Sequence, residues 1–212
     1  MSKESIHFDG ITIESELPGS HLGNQLGPCM QQDFITSRVS DFTRRVNVLC
    51  ATFSHVTSDV KYNLFKSYCM SLYGCPLWDL DSKDIGLFYV AWRKCIRRIF
   101  RLHPMTHSKL LHLICQNEPI HDQLCNRFRN FYTSCVKSDN AIIRYCIKLA
   151  ETGSRSAVCN NINVCRMGFK PVLCNDEYDQ STAGTIRDFI SLRDYGYDRN
   201  NVQQILDYLC TM

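Results

Sequence analysis

The stretch Ile85 to Leu102, IGLFYVAWRKCIRRIFRL, constrains the fold more than any other part of the chain. Placed on a helix at about 100° per residue, Ile85, Phe88, Trp92, Cys95, Ile96, Ile99 and Leu102 share one arc of about 120°. Arg93, Lys94, Arg97, Arg98 and Arg101 lie on the opposite arc. Such a helix buries one side and exposes the other, so the chain must supply further elements to cover the apolar side. From Ile85 to Asn117 there are six basic residues, these five and Lys109, and no Asp or Glu. The whole chain is only +3, so the charge is local, and a local concentration is what attracts phosphates. Arg93, Arg97 and Arg101 form an i, i+4 row about 12 Å long, enough to follow roughly three or four phosphates of one strand.

The covering elements follow from the pattern on either side. From Gln32 to Phe53 there is no Gly or Pro, and Ile35, Val39, Phe42, Val46, Leu49 and Phe53 recur at alternating spacings of four and three, an amphipathic helix. A second helix is expected from Ser58, burying Val60, Leu64, Tyr68 and Leu72 and stopping at Gly74 and Pro76. Downstream, Pro104 ends the basic helix and Thr106 opens a short one over Leu110, Leu111 and Ile114. Further helices are expected from Pro119 (with Ile120, Leu124, Phe128, Phe131 and Cys135) and from Asn140 (with Ile143, Ile147 and Ala150). Periodicity weakens from Gly153 to Gly184, which reads as a linker, before two last helices over 185–193 and 199–210. At the other end, apolar Ile6, Phe8, Ile11 and Ile13 flank Asp9-Gly10, a hairpin signal. A hairpin alone is too small to be stable, so these residues read as the edge of a sheet whose remainder is missing. The expected fold is mostly α: a helical bundle over 29–152, a short β-hairpin piece over 1–28, and a C-terminal tail with two helices over 153–212.

Several function classes are excluded or disfavoured. The 13 cysteines are scattered singly, mostly on apolar helical faces, and the acidic first twenty residues contain no signal-peptide core. Free thiols in a reducing, intracellular compartment, nuclear or cytoplasmic, are therefore expected. No run approaches the length of a membrane span. His103, His107, His112, Cys115, His121 and Cys125 cluster in sequence, but their spacing matches no zinc signature, and Cys159, Cys165 and Cys174 lack a CxxC pair. Asp79, Asp81 and Asp84 precede a helix and read as caps. No phosphate-binding glycine loop, dinucleotide fingerprint or nucleophile elbow occurs, so no catalytic residue, metal ligand or cofactor is assigned. Tyr73, Trp78, Tyr89 and Trp92 are of a type that stacks on bases but read as packing residues; Trp92 sits in mid-stripe and reads as core, and Trp78, after a turn, is less determined.

The runs VTSDVKYNLFKSYCMSLYGCPLWDL and FYVAWRKCIRRIFRLHPMTHSKLLHLI resemble the region downstream of the polymerase palm in reverse transcriptases of non-LTR (LINE-type) retrotransposons. Four landmarks are similar in order: Leu72-Tyr73-Gly74 with Leu77-Trp78, Ala91-Trp92-Arg93-Lys94, Thr106-His107 with Leu110-Leu111, and the closing ISLRDYGYDRNNVQQILDYLCTM. FDGITIESELPGSHLGN resembles the strand and turn that close the palm. The resemblance implies that 33–102 is a thumb-like bundle against a template-primer duplex, and that 1–28 is a palm-edge remnant. It does not imply polymerization: the family's two-metal site needs an adjacent Asp-Asp pair, and the chain has none. The expected protein is a catalytically inactive thumb-and-tail fragment, a parent RNA-directed DNA polymerase stripped of its palm. Its binding residues would be Arg93, Lys94, Arg97, Arg98, Arg101 and Lys109, and its partner RNA, DNA or an RNA–DNA hybrid. The alternative is a helical protein-interaction module whose palm-facing surface is covered by another chain.

Overall fold

A computed structural model describes residues 5–8, 11–14, 19–21, 24–26, 31–152, 156–166 and 177–211. Strands β1 (Ser5–Phe8) and β2 (Ile11–Glu14) pair antiparallel with Phe8 opposite Ile11. Strands β3 (Gly19–His21) and β4 (Asn24–Leu26) form a second such pair. The expected turn residues Asp9 and Gly10 lie outside the described residues. Each pair is a two-stranded sheet with no third strand among the described residues, so the expected remnant of a larger sheet finds no support there.

The rest is helical. Among the described residues the α-helices are α1 (Gln31–Thr52), α2 (Ser58–Tyr68), α3 (Ile85–Ile99), α4 (Ser108–Ile114), α5 (Ile120–Val136), α6 (Ala141–Thr152), α7 (Ala157–Arg166), α8 (Glu177–Asp194) and α9 (Arg199–Thr211). A 3₁₀ turn over Cys75–Leu77 follows Gly74, which holds a left-handed φ of 78° at its N-cap, a conformation glycine adopts without steric cost.

The core begins where α1 lies on α3. Ile35, Phe42, Val46 and Leu49 of α1 meet Phe88, Trp92, Cys95, Ile96 and Ile99 of α3, all buried. Phe42 stands 5.1 Å from Phe88 and 5.8 Å from Phe65, and Trp78 closes the group edge-on to Phe88 at 5.3 Å. Aromatic pairs at such spacings add specific geometry to the area they bury.

Helix α2 turns a different face inward than its spacing predicts. Val60 and Tyr68 are 46% and 67% exposed, whereas Ser58, Lys61, Tyr62 and Phe65 are buried. Two rings decide the orientation: Tyr62 and Phe65 stack at 5.9 Å, and Tyr62 reaches Phe100 at 5.4 Å. Lys61 is accommodated by burying its stem and donating Nζ to the Ser54 carbonyl at 3.2 Å. Burial pushes its pKa down.

The expected linker contains α7, and α7 is tied to the bundle through Asn161. This fully buried amide donates Nδ2 to the Trp78 carbonyl at 2.7 Å and accepts the Leu80 N–H at 2.8 Å. It therefore satisfies two backbone groups of the chain between the 3₁₀ turn and α3, which no helix or ladder supplies with partners. Likewise the expected tail is no appendage. Ala183, Ile186, Ile190, Val202, Leu206 and Cys210 of α8 and α9 belong to the same buried cluster as the α1–α3 core. Position 153 therefore marks a change in sequence pattern, and the hydrophobic core continues across it.

Candidate nucleic-acid interface

The apolar arc of α3 is buried as its spacing predicts, Trp92 at 3% exposure included. On the other arc Lys94, Arg98 and Arg101 are exposed and Arg93 and Arg97 half-exposed. The five are not equally available. Arg97 donates Nη2 to the Thr106 carbonyl at 2.6 Å and Nε to the same oxygen at 3.2 Å. It thereby fastens the loop after α3, and burial together with the Arg93 charge lowers its pKa. Arg101, in a left-handed conformation at φ 51° where α3 ends, donates to the Ser54 carbonyl at 3.0 Å. Arg98 donates to Asn47 Oδ1 of α1 at 2.5 Å. Each of these partners is neutral, and among the described residues no carboxylate pairs with any of the five cations. The hydrogen bonds orient the guanidinium groups while leaving the positive charge uncompensated. Lys94 and Arg98 also border a groove of about 550 Å³ between α1 and α3, whose walls include Val39, Thr43, Leu87 and Val90.

Lys109 departs from the expected set. Its ammonium sits 2.9 Å from Asp179 Oδ2, a carboxylate only 4% exposed, and so ties α4 to α8. A buried carboxylate needs a permanent counter-charge, and Lys109 supplies one to Asp179.

The aromatic residues sort by burial. Trp78 and Trp92 are core and present no face for stacking; the Trp78 Nε1 donor is buried without a hydrogen-bond partner among the described residues. Tyr89 is half-buried and its hydroxyl meets His121 Nδ1 at 2.7 Å. Of the four aromatic residues weighed for stacking, Tyr73, 60% exposed, keeps an open ring. Of the His and Cys residues between 103 and 125, His121 and Cys125 meet, Nε2 to Sγ at 3.3 Å, but no three potential ligands converge among the described residues. Burial pushes the Cys115 and Cys125 thiols up to about 12, the form in which a thiol packs as a hydrophobe.

Sequence reasoning missed the joint that holds α3 in place. Arg193, 4% exposed at the end of α8, donates Nη2 to the Phe100 carbonyl at 2.8 Å and Nη1 to the Arg101 carbonyl at 3.2 Å. A cation thus caps the C-terminal carbonyls of α3, where the helix dipole favours it. Its neighbour Asp194 accepts the Ser58 N–H at 2.5 Å, capping the first turn of α2. The available signal was position: Arg193 follows Ile186 and Ile190 at spacings of four and three, a charge on an apolar stripe.

No family model matches the chain, no curated protein matches it, and no solved structure matches it. No described helix is long and apolar enough to cross a membrane.

Proposed function

We propose that the chain is a helical module that binds nucleic-acid backbone, of the kind that forms the thumb and C-terminal region of non-LTR retrotransposon reverse transcriptases, and that it carries no polymerase chemistry of its own. One observation carries the binding reading: five cations on one face of α3, each hydrogen bond among them ending on a neutral acceptor. The ordered landmarks from Leu72 to Leu111 support the family, and the absence of an adjacent Asp-Asp pair from the sequence supports the lack of catalysis. Arg93, Lys94 and Arg98 meet phosphate most directly; Arg97 and Arg101 contribute charge while holding loop carbonyls. Nothing in this set reads base edges, so RNA, DNA and hybrid compete on backbone geometry alone.

Titration against RNA, DNA and hybrid duplexes at two salt concentrations tests the reading. With three to five phosphates neutralised, affinity falls on the order of a hundredfold between about 50 and 200 mM salt. Paired reversal at Lys94→Glu and Arg98→Glu removes most of that slope. A flat salt response, or binding that survives the reversal, overturns it.

A second reading, a protein-interaction module, is favoured by α6. Ile142, Tyr145 and Leu149 are 57%, 62% and 53% exposed and share one helical stripe.

A further inference from the structure

The groove on the other flank of α1, between it and α2, has a different chemistry from the α3 face. It measures about 520 Å³ and its floor is made by Val48, Leu49, Phe53 and Tyr68. Val48 and Tyr68 are 60% and 67% exposed although both are large and apolar. Arg44 and Arg45 stand on its rim, and no Asp or Glu lines it. Arg44 shares its charge with Asp41 in an exposed i, i+3 pair at 3.2 Å, a contact worth little in water. Arg45 has no carboxylate partner among the described residues. An apolar floor under a cationic rim selects an occupant that brings apolar side chains and negative charge together.

We propose that the α1–α2 groove docks an acidic amphipathic peptide segment of another protein, its apolar side chains on Val48, Leu49, Phe53 and Tyr68 and its carboxylates at Arg44 and Arg45. The volume suits one or two large side chains, the usual anchoring unit of a helix laid in a groove. The floor argues against a nucleic-acid strand, because Val48 and Leu49 offer no stacking platform, Phe53 is half-buried, and Tyr68 is the one exposed ring lining the groove. The site is independent of the α3 face: the two grooves use different sides of α1, Thr36, Val39, Thr43 and Asn47 on one and Arg45, Val48, Leu49 and Thr52 on the other.

The test uses the full chain and a fluorescein-labelled helical peptide of about fourteen leucine, phenylalanine and glutamate residues in amphipathic order, with a counterpart carrying lysine for every glutamate. The glutamate peptide raises anisotropy saturably, and the lysine peptide binds at least tenfold more weakly. Val48→Asp and Arg45→Glu each weaken the glutamate peptide about tenfold or more, and Tyr68→Ala does so to a lesser degree. All three positions are exposed, so unchanged circular dichroism separates a lost site from a lost fold. Lys94→Glu with Arg98→Glu leaves peptide binding intact, which keeps this test distinct from the one on the α3 face. Equal binding of the two peptides, indifference to the groove variants, no binding at all, or displacement of the peptide by a thymidine oligonucleotide would each overturn the proposal.

Discussion

The guanidinium groups of Arg98 and Arg193 are chemically identical and lie at opposite extremes of the same molecule. Arg98 is exposed, touches one neutral oxygen of Asn47, and keeps its charge open to solvent. Arg193 is buried, spends its donors on two helix-terminal carbonyls, Ser58, Gln203 and Asp194, and has its pKa lowered by that burial. The comparison separates two uses of a cation. A buried guanidinium must have every donor answered, so it fixes geometry and is expensive to disturb. An exposed one adds field without adding much stability, so it is free to meet a ligand.

Removing the buried member has the largest expected effect. Arg193→Ala removes the guanidinium donors to the Phe100 and Arg101 carbonyls and takes the counter-charge from Asp194, a loss of about 3–5 kcal/mol read as a lower urea midpoint with unchanged m-value. Arg98→Ala, its exposed counterpart, changes stability by no more than about 0.5 kcal/mol. Equal effects at the two positions would break the comparison outright. Asn161→Ala comes next: it removes both partners of the Trp78 carbonyl and Leu80 N–H at a buried site, costing about 2–3 kcal/mol. Asn161→Asp keeps the acceptor and loses the donor, so it recovers part of the loss unless the buried charge costs more.

These same residues explain what the sequence made legible. Helices α1 and α3 were readable because each combines a long uninterrupted apolar stripe with a polar opposite face, and hydrophobic period alone decides such an element. Helix α2 was misoriented because Val60-Leu64-Tyr68 and Tyr62-Phe65-Cys69 are competing stripes on one short helix, and only the rings of Phe42 and Phe100 in the tertiary structure choose between them. Helix α7 and the capping end of α8 were missed for a shared reason. Asn161, Arg193 and Lys61 are polar residues on apolar stripes, which weaken a periodicity reading although they mark the places where distant backbone must be satisfied. In the candidate interface, the cations were legible as charge but their availability was not. Lys109 and Lys94 look alike in sequence, and Asp179, seventy positions downstream, distinguishes them.

That distinction predicts a smaller pair of effects. Lys109→Ala leaves the Asp179 carboxylate buried without its counter-charge and destabilises the chain by about 1–2 kcal/mol, discounted because the lysine is half exposed. Its salt slope for nucleic acid stays at the wild-type value. Lys94→Ala does the reverse, lowering the slope by about one unit with little change in stability. A Lys109 variant that bound less tightly at constant fold would return this residue to the interface and weaken the rule drawn from burial.

The smallest expected effect is a pH dependence, and it extends the comparison from permanent to titratable cations. Burial lowers the pKa of His112 and His121 in the folded chain, while the unfolded chain titrates near the ordinary value of about 6.5. Between the two values the unfolded state binds more protons, so the contribution of these imidazoles to stability is full above about pH 6.5 and is lost as pH falls through the lowered folded values. His121 lies in a chain from the Tyr89 hydroxyl to the Cys125 thiol, and protonating it obliges the ring to donate from both nitrogens, so both neighbours must then accept. Thermal melting between pH 7 and pH 5 should therefore show a modest fall in Tm in the wild type. His121→Gln, paired with His112→Gln, should flatten it. A fall of the same size in the double variant would assign the pH dependence to the carboxylates instead of these two imidazoles.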